Sequence, residues 1–454
     1  MPTPGAPLNE GQPVPELRRE LGLRDLVLFN IAAVVGIRWL AAAAHTGPSS
    51  ISLWVLAAAL FFVPSALSVA ALSARFPEEG GIYVWTRRGF GDWHGFLCGW
   101  CYWLSNLFYF PSLILAGVGM AARAMGFAED RNAILAISLA ILWIASVSNV
   151  VGVAFGKWIG NLGGLSTYIG GALLIVLGAM VWMRFGSATP IRILPQWNIE
   201  KLNFWSQIAF AFGGLELGAI MGGEIQNPER KVPRAAWISG ISIAAFYIVG
   251  TLAILALLPP DRVSILTGLV QAAAAASTRL GIAWPLPVLA FAICFGVLGQ
   301  LGVWIAGSAR LPFVIGIDRY LPPVFARLHP RWRTPHVSIF ILSTACTFFL
   351  IVMQLGESLR IGYQLLVDMT VITYFIPFLY LFGTSSKYGQ KMSGAVGILV
   401  TVVALVLSLV PPPDASSVWL FELKLIGGFL LLSAAARICF LKYRTATMNI
   451  RPAF

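Results

Sequence analysis

Two charged residues, Arg38 and Glu216, lie inside apolar stretches of helix length, and each stands beside glycine: Val35-Gly36-Ile37-Arg38 in one, Gly213-Gly214-Leu215-Glu216 in the other. Charge at the middle of a membrane-spanning helix costs several kcal/mol, so a guanidinium and a carboxylate kept there are functional candidates. Glycine lets a helix unwind. An unwound turn frees N–H and C=O groups that hydrocarbon cannot satisfy but a polar substrate can. The chemistry implied is recognition of a small polar molecule halfway across a bilayer, as in a transporter. No Ser/His/Asp set and no pair of catalytic carboxylates can be assembled at that depth from neighbouring sequence, so neither an enzyme nor a cofactor is expected. The four histidines are scattered and form no metal-ligand set. Cys98-Gly99-Trp100-Cys101 has the spacing of a redox pair, but it opens an apolar span, where buried packing thiols are expected.

The elements that must position these residues follow from hydropathy. With 58% hydrophobic and 11% charged residues and a mean hydropathy of +0.81, the chain is far from the roughly 25% charged content of a soluble domain. It reads as an all-α integral membrane protein. About twelve spans can be laid down, at residues 25–44, 52–74, 96–122, 132–151, 160–183, 205–224, 235–258, 285–309, 336–355, 361–383, 393–410 and 418–441. The breaks fall in the first and the sixth. Two five-helix inverted repeats, 25–183 and 205–383, are therefore expected, with peripheral helices over 393–441. The polar, proline-containing segment 1–24 shows no signal-peptide pattern, and residues 442–454 read as a short tail.

The net charge of +12 invites a nucleic-acid reading, which the distribution of charge argues against. With the N-terminus cytoplasmic, inside segments hold about 21 Lys and Arg and outside segments about nine. Both termini are thus expected inside, in a bacterial-type inner (cytoplasmic) membrane. No aromatic platform accompanies the basic residues, so lipid is the expected neighbour and not nucleic acid. The densest cluster, Arg310, Arg319, Arg327, Arg331 and Arg333, is expected at anionic headgroups. Monomer and homodimer both stay open.

Three loop motifs carry a family resemblance. Pro77-Glu78-Glu79-Gly80-Gly81-Ile82-Tyr83-Val84-Trp85, running on to Gly99-Trp100, resembles the loop between the second and third helices of the amino acid, polyamine and organocation (APC) transporter superfamily. Glu224-Ile225-Gln226-Asn227-Pro228-Glu229-Arg230-Lys231-Val232-Pro233 is similar to its signature after the sixth helix, with Asn227-Pro228 expected to end that helix. Ser308-Ala309-Arg310 through Thr334-Pro335 resembles its loop after the eighth. The matches cover most of the chain in the expected order. They imply a LeuT-like fold and amino acid substrates moved by alternating access. At the first break the chain departs from the superfamily's small-residue pattern and reads Gly36-Ile37-Arg38-Trp39. Together with Gly47-Pro48-Ser49-Ser50-Ile51 and Phe61-Phe62-Val63-Pro64, this is similar to the glutamate:GABA antiporter branch.

The resemblance and the residues together give a candidate site. Free backbone at Gly36, Ile37 and at Gly213, Gly214 and Leu215 would hold the α-carboxylate and α-amino ends of a substrate. The fork of Arg38 could grip a second carboxylate bidentately, or it could only neutralise Glu216 or Asp368. Glu216 corresponds in place to the gate glutamate of arginine:agmatine exchangers, and with Asp368 is a candidate for gating or proton coupling; the alternative for Glu216 is a static ion pair with Arg38. Asn106 and Trp304 correspond to an amide and an indole lining the site of those exchangers, and Phe212 adjoins the second break. Packing is the competing role for Trp304 and Phe212. The fifth span reads Leu165-Ser166-Thr167-Tyr168 without the lysine that replaces sodium in some members; Ser166 and Thr167 are candidate ion ligands, or bond their own helix. Exchange of one amino acid for another is expected ahead of proton- or sodium-coupled uptake of an amino acid or polyamine.

Overall fold

A computed structural model describes residues 19–190, 208–355, 359–409 and 418–448. Among them, ten helices are continuous, long and apolar enough to cross a membrane. An eleventh span is a bent pair, α1 (Leu23–Val34) and α2 (Arg38–Thr46), meeting at 49°. Of the expected sixth span the described part begins at Ile208; residues 211–214 turn before a short helix, α8 (Leu215–Ile220). The stretch from 205 to 207 lies outside the described residues. Between these breaks run α3 (Ser50–Arg75), a non-spanning α4 (Ile82–Phe90), α5 (Asp92–Met125), α6 (Arg131–Val151) and α7 (Val153–Phe185). After them come α9 (Pro228–Leu257), α10 (Gly268–Leu280), α11 (Pro285–Ser308), α12 (Arg310–Ile317), α13 (His336–Leu355), α14 (Leu359–Lys387), α15 (Lys391–Ser408) and α16 (Val418–Met448).

Hydropathy alone does not tell which apolar helices face lipid and which face each other; burial does. The most apolar window of α5 is 83% buried, whereas that of α16 is 11% buried. The third span is thus interior and the last is peripheral. Close helix approach fixes the scaffold behind the first break, where α7 and α11 touch at glycine: a Cβ on Gly163 would sit 2.3 Å from the Cα of Gly299. Small residues permit that approach where no hydrophobic force drives helices together.

Two boundaries differ from expectation. Asn227-Pro228 does not end the sixth helix, which stops at Ile220 and passes through a 3₁₀ turn, Gly222–Glu224. Instead Asn227 adopts a left-handed conformation (φ 52°) and Pro228 opens α9, because a helix's first turn leaves its N–H groups without intrahelical partners, so the N–H that proline lacks is not missed there. Helix α16 also continues past residue 441 to Met448. Cys98 and Cys101 are free and buried within α5.

Candidate functional site

The first break leaves carbonyl oxygens without helical partners, and side chains from two other helices take them. The Ala33 carbonyl accepts from Trp304 Nε1 at 2.8 Å and from Gln300 Nε2 at 3.1 Å, both on α11. Tyr247 of α9 donates its hydroxyl toward the Val34 carbonyl at 2.7 Å, and the Gly36 N–H donates to that hydroxyl at 3.2 Å. Trp304 is thus held at the break by its indole N–H, a hydrogen-bonded role beside the site-lining or packing roles that the sequence offers.

The second break is built around Glu216. Gly214 takes φ +121°, a region closed to side-chain-bearing residues, and a Cβ on Gly213 would come within 2.6 Å of the Tyr374 ring. Both glycines are needed for the chain to turn against that tyrosine. Leu215 then opens α8, and Glu216 beside it is 1% exposed. The carboxylate accepts from Tyr102 Oη at 2.8 Å and Tyr374 Oη at 2.6 Å on one oxygen, and from the Gly214 N–H at 3.2 Å on the other. No ion pair joins Glu216 to Arg38 among the described residues, so the static pair is not what holds either charge. Phenols and a backbone amide stabilise this carboxylate instead.

Arg38 has a different surrounding. It is 6% exposed, its guanidinium lies 4.5 Å from the Trp39 ring and 5.3 Å from the Tyr109 ring, and its Nε and Nη1 have no hydrogen-bond partner. Two aromatic faces offer a cation partial compensation, of about 0.5–2 kcal/mol each, and leave its fork open. Val35, Gly36, Ile37 and Arg38 line a small cavity with Thr167 and Gln300. Aromatic rings connect this cavity to Glu216: Trp304 packs on Tyr109 (5.1 Å between centroids) and on Tyr374 (5.9 Å), and Phe210 packs on Trp39 (5.7 Å) and on Tyr374 (5.2 Å).

The remaining predicted residues are placed as follows. Asn106 lies one turn from both Tyr102 and Tyr109 on α5, is fully buried, donates to the Tyr102 carbonyl at 2.8 Å and keeps its Oδ1 unpartnered. Phe212 packs against Trp54, Phe62 and Tyr247, toward the second span and α9. Asp368 of α14 forms no ion pair with Arg38 among the described residues, and its Oδ2 has no partner. Thr167 faces the cavity; Ser166, also buried, is not among the residues lining it. Sequence reasoning missed Tyr102, Tyr109, Tyr247, Gln300 and Tyr374. A tyrosine in an apolar span looks like ordinary packing; the only signal was that residues 102, 106 and 109 share one helix face.

Beyond the breaks, at the end of the bundle holding residue 19, Arg310 departs from its expected place at lipid headgroups. It is 2% exposed, and its Nη2 grips Glu224 through both oxygens at 2.6 and 2.8 Å. Its Nε lies 3.3 Å from Glu79 Oε1, and the other Glu79 oxygen accepts from the Gly223 N–H at 2.7 Å. The Glu224 carbonyl in turn accepts from the N–H groups of Glu20 and Leu21. One arginine therefore gathers the segment before α1, the loop before α4 and the end of the sixth span. Arg87 likewise pairs with Asp92 and Asp318.

With two broken helices around a half-open arginine and a phenol-held glutamate, the geometry is that of a carrier. The amino acid permease family model matches residues 21–431. The chain belongs to the amino acid permease family. With it the permease belongs to the APC superfamily. It is similar to an uncharacterised transporter of Legionella pneumophila (27% identical, over 91% of this chain and 95% of that one). It is similar also to the serine/threonine exchanger of Bacillus subtilis (27% identical, over 74% and 77%). The solved structure of MhsT in complex with L-phenylalanine superposes with a TM-score of 0.60 at 14% identity, over 89% of the permease and 100% of that chain, which shows the LeuT-like fold.

In this permease Glu216→Gln is expected to slow transport roughly ten- to a hundredfold. An amide cannot accept on both sides, so either the two phenols or the Gly214 N–H lose an ionic partner worth about 1.5–3 kcal/mol. Uptake by the reconstituted variant measures this, and a wild-type rate would show that Glu216 is only a packing group.

Proposed function

We propose that this permease exchanges one amino acid for another across the inner membrane, with both termini cytoplasmic, and that an acidic or closely related amino acid is its substrate, as in the glutamate:GABA branch. One observation carries the substrate class: a buried arginine at the first break has two guanidinium nitrogens without partners and no described carboxylate paired with it. A side-chain carboxylate is the ligand that such an uncompensated guanidinium fits. The α-amino and α-carboxylate ends would sit against the backbone from Gly36 to Ile37 and from Gly213 to Leu215, with Asn106 and Trp304 along the substrate's length. Glu216 would act in the gate, and Asp368 in the gate or in proton coupling. The serine/threonine exchanger among the relatives supports exchange as the mode. The first and sixth helices, which open the two five-helix repeats 25–183 and 205–383, would rock or gate around this midplane site.

Counterflow in proteoliposomes tests the reading. Vesicles loaded with unlabelled glutamate are expected to take up labelled glutamate strongly, and empty vesicles weakly. Equal entry into loaded and empty vesicles would replace exchange with coupled uptake, and no entry of glutamate under any loading would overturn the acidic assignment.

A further inference from the structure

Two helices that pack together, α1 and α7, carry opposite charges that do not meet. Their contact is close: a Cβ on Gly164 of α7 would sit 3.4 Å from the Ala32 Cβ of α1. Asp25 and Lys157 each stand seven residues, about two turns, before that contact on their own helix, and a step of seven returns to nearly the same helix face. The two charges therefore lie on facing stripes, and both line one cavity at the end of the bundle holding residue 19. Yet no ion pair joins them among the described residues. Gly156 and Gly160 of α7 also line this cavity and put no side chain into it. It shares no lining residue with the cavity beside Arg38.

The rest of the lining suits a small molecule with two polar ends. Asn161 stands one turn after Lys157 on the same stripe of α7. The back wall is fixed by Asn149 of α6, whose Nδ2 donates to the Ala145 and Gly302 carbonyls, each at 2.9 Å, and so joins α6 to α11. Opposite, the Gly22 N–H donates to Asp25 Oδ2 at 3.0 Å and holds that carboxylate in place. Leu21, Phe29 and Met221 supply apolar surface. The space is about 400 Å³ counted out to its open mouth but narrow within, which suits a short side chain. A plain anion here would face the Asp25 charge, and a plain amine the Lys157 charge; one ligand carrying both signs complements the two together. We propose that this cavity is a second amino acid site, apart from the one at the breaks, in which a free amino acid sets its carboxylate on Lys157 and Asn161 and its ammonium on Asp25. Bound there, it ties α1 to α7 and braces the half-helix before the first break. The proposal goes beyond the exchange reading and is independent of which amino acid is carried at the breaks.

Equilibrium dialysis of labelled alanine against the full chain in detergent counts the sites. Lys157→Gln and Asp25→Asn, each checked for a single symmetric peak on size exclusion, are expected to lose one class of bound alanine that the wild type holds, or to bind it at least about tenfold more weakly. Asparagine at 25 keeps an acceptor for the Gly22 N–H, so the loss reads the charge. Asn161→Trp leaves both charges and fills the cavity from α7; it is expected to lose the same class, which keeps the test decisive should a charge variant fail to fold. In the wild type that class is expected to be displaced by unlabelled glycine, and not by propionate or ethylamine, each of which has only one of the two ends. Equal counts and affinities in the wild type and in the folded variants would overturn the second site. Propionate displacing the alanine as well as glycine does would make the cavity a plain anion site and overturn the zwitterion. Failure of glutamate to exchange in counterflow would sink the assignment at the breaks alone, since the alanine count does not depend on it.

Discussion

Arg38→Ala is expected to lower the catalytic efficiency of glutamate counterflow by about ten- to a hundredfold or more, while exchange of a small neutral amino acid is retained or improved. A hydrogen bond to a charged group contributes about 1.5–3 kcal/mol, and the open Nε and Nη1, on two different edges of the guanidinium, are each free to donate to a carboxylate. Lysine at this position would keep the charge and lose the fork, so Arg38→Lys is expected to fall between the wild type and the alanine variant. Stability should move the other way. Arg38 is almost wholly buried, and the described residues compensate it only with the faces of Trp39 and Tyr109. A buried charge without its counter-charge is a cost to the fold. Removing it is therefore expected to raise the melting temperature of the substrate-free protein in detergent, and added glutamate should stabilise the wild type but not the variant. An Arg38→Ala protein that melts lower and exchanges glutamate within about threefold of the wild type would return Arg38 to a structural role.

The contrast between Arg38 and Arg310 shows what could be read from the chain and what could not. Both breaks were legible, because glycine beside charge inside an apolar span conflicts with every local preference and such conflicts mark function. Their surroundings were not. Tyr102 and Tyr374 meet on one oxygen of Glu216 from α5 and α14, far apart in sequence, and nothing in either span announces that the two hydroxyls converge. Tyr247 reads as one more aromatic in α9 until the two breaks are seen on either side of it. Arg310 was misplaced for a related reason. An arginine just after an apolar span looks like a headgroup anchor, and only the fold reveals that Glu224 and Glu79 come from other loops to enclose it. Asn227-Pro228 was ambiguous in principle, since proline both ends a preceding helix and opens a following one.

That enclosure makes Arg310→Ala the substitution with the largest expected effect on the fold. Breaking a buried ion pair by removing one partner costs about 3–5 kcal/mol, because the remaining charge stays buried. Here the Glu224 carboxylate would be left without its cation beside the Glu79 carboxyl, and the two groups tie the segment before α1 to the loop before α4 and to the end of the sixth span. The variant is expected to lose most of its folded yield. Glu224→Gln added to it should restore part of that yield, by removing the charge that lost its partner. The same geometry sets a pH dependence. Burial, then the neighbouring Glu224 charge, pushes the Glu79 carboxyl up from 4.5 to about 8, against the pull of Arg310 and of the Gly223 N–H. Glu224 is raised by burial too, with Glu20 adding to that, but Arg310 grips it through both oxygens and keeps the charge there. Glu79 is thus the group that carries the proton. A carboxyl that holds its proton more tightly in the closed cluster than when exposed stabilises the closed cluster below its raised pKa, and that advantage is lost as pH rises from about 4.5 through about 8. Melting temperature should therefore fall across that interval in the wild type. Glu79→Gln, which keeps the Gly223 contact and cannot ionise, should flatten the curve; an unchanged slope in that variant would place the proton elsewhere.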